Sequence, residues 1–123
     1  MTLANLTPAN YARAAVEGLL CLMGAALDAV RAQGVDITEV TLTGGGAKSA
    51  CAKALAPAIL GLPVNAPAPD EYVVNGAARQ AAWTLAGTDE PPAWAPTTKR
   101  LTATLQPHIR AAYNNTAQLL ERG

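Results

Sequence analysis

Apolar residues recur at three- and four-residue steps along the first quarter of the chain, at Tyr11, Ala15, Leu19, Leu22, Met23, Ala26, Leu27 and Val30. That spacing marks one face of an α-helix. Thr7-Pro8 stands at its start, where a threonine oxygen can accept the unpaired N–H groups and proline suits the first turn. Gly34 closes the pattern. About 26 residues would make a helix on the order of 39 Å long. A helix of that length belongs across a sheet larger than this sequence supplies.

The pattern then shortens. Glu39 to Thr43 reads as a strand with Val40 and Leu42 on one face, followed by Gly44-Gly45-Gly46 and a helical pattern from Ser49 to Leu60 that ends at Gly61. Pro57 inside this second helix is expected to kink or shorten it. Leu62 to Asn65 predicts a second strand, with Pro63 suited to its start or to an edge, and Ala66-Pro67-Ala68-Pro69 a stiff connector. Asp70 and Glu71 begin a third helix that runs through Val73, Ala77, Gln80, Ala81 and Leu85 to Gly87. Within it, Gly76-Ala77-Ala78 offers a small face for another backbone. Thr88 to Pro96 is a proline-rich loop holding Trp94. Residues 97–105 look extended, with Leu101, Ala103 and Leu105 alternating against Thr102 and Thr104. Pro107 starts a last helix carrying Ile109, Tyr113, Leu119 and Leu120. The fold class is α/β, and two short parallel strands cannot cover this many helices, so the sheet is incomplete.

Composition narrows the function classes. At 123 residues the chain makes one domain at most. Half its residues are apolar, but alanine carries that figure and phenylalanine is absent, so the core must rely on close helix packing. The tryptophans Trp83 and Trp94 are expected to fill part of that core. Nine basic and nine acidic residues balance, and no Lys/Arg stripe points to nucleic acid. No apolar run is long enough to cross a membrane, and Met1 to Asn5 lacks the layout of a signal peptide. Cys21 and Cys51 fall on apolar helix faces and are expected as buried thiols. His108 is expected on the surface, and Glu17 as the partner of Arg13 four residues earlier.

The richest chemistry lies in Thr41-Leu42-Thr43-Gly44-Gly45-Gly46-Ala47-Lys48-Ser49. A strand that runs through glycines into a helix start lets bare backbone N–H groups approach an anion, which points to a phosphate or a nucleotide. Known phosphate loops fit poorly. A Walker A loop needs glycine where Ala47 stands, and the dinucleotide fingerprint needs its third glycine where Ser49 stands. A tight turn without a ligand is the alternative. Lys48 either pairs with a phosphate or is solvated, and Asn75 and Tyr72 read as structural.

Four segments in order resemble the C-terminal part of xylulose kinases, members of the FGGY carbohydrate kinases in the actin/hexokinase superfamily. They are Leu6-Thr7 through Arg13-Ala14-Ala15-Val16-Glu17-Gly18, then Gly44 to Ser49, then Gly61-Leu62-Pro63-Val64, then Glu71 to Ala78. The resemblance implies a partial RNase H-like/actin-like ATPase domain, with helices packed on a short, incomplete sheet. It implies that residues 1–87 are the C-terminal part of the ATP-binding domain and 88–123 the proline-rich loop and last helix of the same domain. It further implies an ATP- and Mg²⁺-dependent cytoplasmic kinase whose sugar and general base are supplied by an N-terminal domain not seen in this sequence. Gly44, Gly45, Gly46 and Ala47 match the family's nucleotide loop, with Lys48 and Ser49 at the next positions. No catalytic residue and no metal ligand is assigned to this chain, which is expected to be inactive alone. The sequence departs from the family at Ala50-Cys51-Ala52, where a bulky residue is usual, and at Ala56-Pro57, where Ala-Asp is usual. The alternatives are a related kinase for another sugar or polyol, and a non-enzymatic module that self-associates as a homo-oligomer.

Overall fold

The computed structural model describes residues 5–120, without the side chain of Leu120. Helix α1 spans Pro8–Arg31, and the Thr7 hydroxyl accepts the N–H of Asn10 at 3.2 Å. Strand β1 is Val40–Thr41, helix α2 Ala50–Leu60, strand β2 Val64–Pro67 and helix α3 Tyr72–Ala86. Strand β3, Thr98–Leu101, and helix α4, Pro107–Leu120, complete the chain. The sheet order is β1-β2-β3, with β1 and β2 parallel and β3 antiparallel to β2. The extended stretch near residues 97–105 therefore supplies a third strand, and β2 lies at the centre.

Side-chain alternation turns Val40, Leu42, Val64 and Leu101 toward the helices. There they meet Ala56, Ile59 and Leu60 of α2, Leu20 and Cys21 of α1, and Ile109 of α4. Ala56 and Val64 are wholly buried, so the alanines do their expected work of letting α2 sit close. Helix α4 is fastened to α1 at its far end by the Arg110 guanidinium, which pairs with Asp28 and lies across Gly24. A Cβ on Gly24 would stand 3.1 Å from that guanidinium.

Several expectations need correction. The face of α1 marked by Tyr11, Leu19, Leu22 and Val30 is not the packed one: these four are 68%, 56%, 58% and 44% exposed. Met23 and Leu27 of the expected face do pack against the core, and the covered side runs on through Val16, Leu20, Cys21 and Gly24, because α2 and α4 dock there. Pro57 does not shorten α2. The helix continues to Leu60, since Pro57 stands near its end and its carbonyl still accepts the N–H of Gly61 at 3.1 Å. Ala66 and Pro67, expected in a connector, belong to β2. Asp70 and Glu71 precede α3 rather than forming its first turn.

Neither tryptophan enters the core. Trp83 donates its ring N–H to the Thr88 carbonyl at 2.6 Å, and Trp94 stands against Tyr72 with ring centroids 5.8 Å apart. Cys21 is buried as expected and burial raises its pKa, whereas Cys51 is exposed in the first turn of α2. Helix α3 buries no residue, and no atom lies within 4 Å of a Cβ placed on Gly76. The helix is held by the 88–96 loop, where Arg79 Nε donates to the Pro92 carbonyl at 2.6 Å. His108 is exposed and Arg13 Nε meets Glu17 Oε1 at 2.7 Å, both as expected.

Candidate functional site

The sheet decides where a ligand can go. In a parallel α/β sheet the crevice opens beyond the carboxyl ends of the strands. Here β1 and β2 run side by side, held by Val40 N–H to the Pro63 carbonyl at 3.1 Å and Leu42 N–H to the Asn65 carbonyl at 2.9 Å. Beyond their ends lies a cleft of about 630 Å³. That volume falls within the roughly 300–1,000 Å³ usual for small-molecule sites.

One wall is the turn after β1. Gly44 has φ 83° and ψ −173°, a conformation open to glycine and costly for other residues. It turns the chain into a single 3₁₀ turn, Gly45–Lys48, with Ala47 N–H bonded to the Gly44 carbonyl at 3.2 Å. The opening N–H groups of such a turn lie ahead of any acceptor within it. Ser49 then caps α2, its hydroxyl accepting the N–H of Ala52 at 3.2 Å. A 3₁₀ turn and the start of α2 therefore follow one another directly after β1.

The opposite wall comes from the segment after β2. Asp70 uses one carboxylate oxygen to accept the Glu71 N–H at 2.8 Å and the other to accept the Asn75 amide at 2.9 Å. Asn75 thus holds the entry to α3, in keeping with a structural role. Tyr72 donates its hydroxyl to the Ala68 carbonyl and borders the cleft.

Of the loop residues singled out in the sequence, Gly44, Gly45, Ala47 and Lys48 line the cleft. Gly46 and Ser49 do not, and the Ser49 hydroxyl is engaged as a cap. The structure adds Lys53, Asp70, Glu71, Tyr72 and Lys99 to the lining. Lys53 was within reach of sequence reasoning, since it stands one turn into the helix that Ser49 caps. Lys99 was not, because its place depends on β3 pairing with β2 in the register Ala66 to Lys99. Among the described residues no cluster of three or more His, Cys, Asp or Glu is arranged to hold a metal.

Chemically, the cleft combines the backbone of the glycine turn with three ammonium groups and two carboxylates. Such a site can bind and orient an anion.

Comparison with known proteins gives this cleft a context. Residues 2–85 match the C-terminal domain of the FGGY family of carbohydrate kinases. The crystal structure of xylulose kinase from Bifidobacterium adolescentis superposes with a TM-score of 0.78 at 51% identity, over 95% of this chain and 23% of that one. A search of curated proteins finds no match. The chain thus spans about a quarter of the length of the kinase it resembles, 23%. With a family match over most of its length and a mixed α/β fold that agrees with it, the chain belongs to the FGGY family of carbohydrate kinases, as a C-terminal domain of that family.

Proposed function

We propose that the chain is the nucleotide-binding part of an ATP-dependent sugar kinase, with Gly44, Gly45, Gly46, Ala47, Lys48 and Ser49 as its phosphate loop. The cleft at the ends of β1 and β2, lined by Gly44, Gly45, Ala47 and Lys48 of that loop and by Lys53 and Lys99, is the observation that carries this reading. In the proposed division, residues 1–87 provide the nucleotide site and residues 88–123 complete the same domain.

The parent reaction is transfer of the terminal phosphoryl group of ATP to the 5-hydroxyl of D-xylulose, giving D-xylulose 5-phosphate and ADP. The hydroxyl proton passes to an aspartate on the sugar-binding domain. This chain's part is positional. Backbone N–H groups of the glycine turn hold phosphate oxygens, and the surrounding ammonium groups offset the charge that builds as the phosphoryl group leaves. Mg²⁺ supplies further charge neutralisation when the nucleotide carries it into the site. The residues of the cleft build no metal cage of their own, so the ion would arrive on the phosphates. A kinase for another sugar or polyol fits the same cleft equally, because the sugar is held elsewhere. The setting is cytoplasmic, where ATP and pentoses meet.

A second reading concerns association. The uncovered stripe on α1 favours self-association of the isolated chain, as a homo-oligomer, through that face.

Calorimetric titration of the 123-residue chain with ADP tests the main reading. Saturable binding with a Kd of about 10 μM to 1 mM is expected for a site with only part of its walls. No heat and no shift in melting temperature at millimolar ADP would overturn it. A coupled assay with D-xylulose and ATP is expected to show no turnover approaching ~1 s⁻¹.

A further inference from the structure

Lys99 stands outside the stretch that matches the family, which ends at residue 85. It reaches the cleft by strand geometry. Along β3, Leu101 faces the core, and alternation puts Lys99 on that same helix-facing side. Pairing with Ala66, close to the end of β2, places it past the edge of the core, where the cleft opens. Its neighbours Thr98 and Arg100 take the other face. Thr98 borders a separate hollow beside Trp94, and Arg100 Nη1 meets Glu39 Oε2 at 3.0 Å.

Lys48, Lys53 and Lys99 thus reach one cleft from the glycine turn, α2 and β3. Among the described residues none of these three ammonium groups makes an ion pair. The carboxylates on the lining are Asp70 and Glu71, and Asp70 already accepts two hydrogen bonds from its own loop. The lining thus carries three ammonium groups against two carboxylates, an excess of positive charge that favours a polyanion over a neutral ring or sugar. In a nucleotide only the phosphate chain carries the matching negative charge.

We propose that Lys99 is a phosphate-contacting residue of the nucleotide site, contributed by the strand that follows the family-matched region. This rests on the nucleotide reading above and deepens it. The C-terminal segment then does more than cover the sheet edge: it adds affinity for the phosphorylated ligand over the bare nucleoside.

The test measures ADP, adenosine and inorganic pyrophosphate binding by calorimetry, for the unaltered chain and for Lys99→Gln, Lys99→Arg and Arg100→Gln. Circular dichroism melts establish that each variant is folded. Lys99→Gln is expected to weaken ADP and pyrophosphate about 3- to 10-fold at low salt, with the gap narrowing as ionic strength rises. Adenosine binding should not change, Lys99→Arg should restore most of the affinity, and Arg100→Gln should match the unaltered chain. Equal ADP affinity in Lys99→Gln and the unaltered chain would overturn the role of Lys99 and leave the glycine-turn site standing. Equal loss of ADP and adenosine would mark a structural role and overturn it as well. Failure of the unaltered chain to bind ADP would remove both.

Discussion

Gly44 and Gly46 look interchangeable in the triple glycine, yet the backbone separates them. Only Gly44 takes a positive φ, while Gly46 has an ordinary one and open space around its Cβ position. Gly44→Ala is therefore expected to cost about 1–3 kcal/mol. Gly46→Ala should stay within about 0.5 kcal/mol of the unaltered chain. Urea unfolding midpoints of the two variants check this, and equal midpoints would place the strain elsewhere. Asp28 gives a second residue-scale expectation. Its hydrogen bond to Arg110, with help from Arg31, holds its pKa below the usual carboxylate value. A group depressed in the folded state stabilises above its unfolded pKa, about 3.9, and that contribution fades as pH falls through the lower folded value. Asp28 is 50% exposed, so the effect should be under about 1 kcal/mol. The stability gap between the unaltered chain and Asp28→Asn should be present at pH 6 and close below about pH 4 in paired denaturation curves. A gap that persists at pH 2.5 would show that the charge is not its source.

At the scale of elements, α2 joins the core to the cleft. Its C-terminal end, from Ala56 to Leu60, is buried on every side, while its first turn stands beside the glycine turn. The Ser49 cap fixes where the helix begins and so where Lys53 stands. Removing the cap in Ser49→Ala should lower stability by about 1 kcal/mol, and Ser49→Asn, which can cap equally well, should recover it. Thermal melts of the two variants decide the matter, and identical melts would mean that tertiary packing alone sets the helix start. The second helix also shows which local rules yield. Pro57 removes the N–H that would bond the Lys53 carbonyl, yet the helix persists with Pro57 and its neighbours Ala56, Ala58, Ile59 and Leu60 all buried. Helix α3 is the opposite case. Its sequence pattern and its Gly87 cap make a helix, but nothing among the described residues buries its face, and Val73 and Leu85 are 88% and 91% exposed.

For the whole molecule, the exposed apolar residues of α1 and α3 go with a short, three-stranded sheet. The kinase that it resembles is over four times longer, with this chain covering 23% of it. An apolar stripe left uncovered favours association. Sedimentation is expected to show a concentration-dependent dimer or larger species. A double substitution on the exposed stripe, Leu19→Glu with Leu22→Glu, should give a monomer with unchanged helix content. A strict monomer before substitution would count against the stripe as a contact surface.

The sequence by itself determined the helices, their caps and the glycine turn, because those features rest on local interactions: Thr7 with Asn10, Ser49 with Ala52, left-handed closure at Gly61 and Gly87. It also carried the family, since Gly44 to Ser49 and the segments around it keep their order. Tertiary structure alone decided which face of each helix is covered. On α1 the apolar residues extend over two adjacent faces, and only the docking of α2 and α4 chose the Leu20 side. It decided that Trp83 and Trp94 stay out of the core, where Trp83 bonds the Thr88 carbonyl and Trp94 stands against Tyr72. It also decided that Lys53 and Lys99 meet at the cleft. That encounter depends on strand order and register, which are long-range pairings that no local pattern encodes.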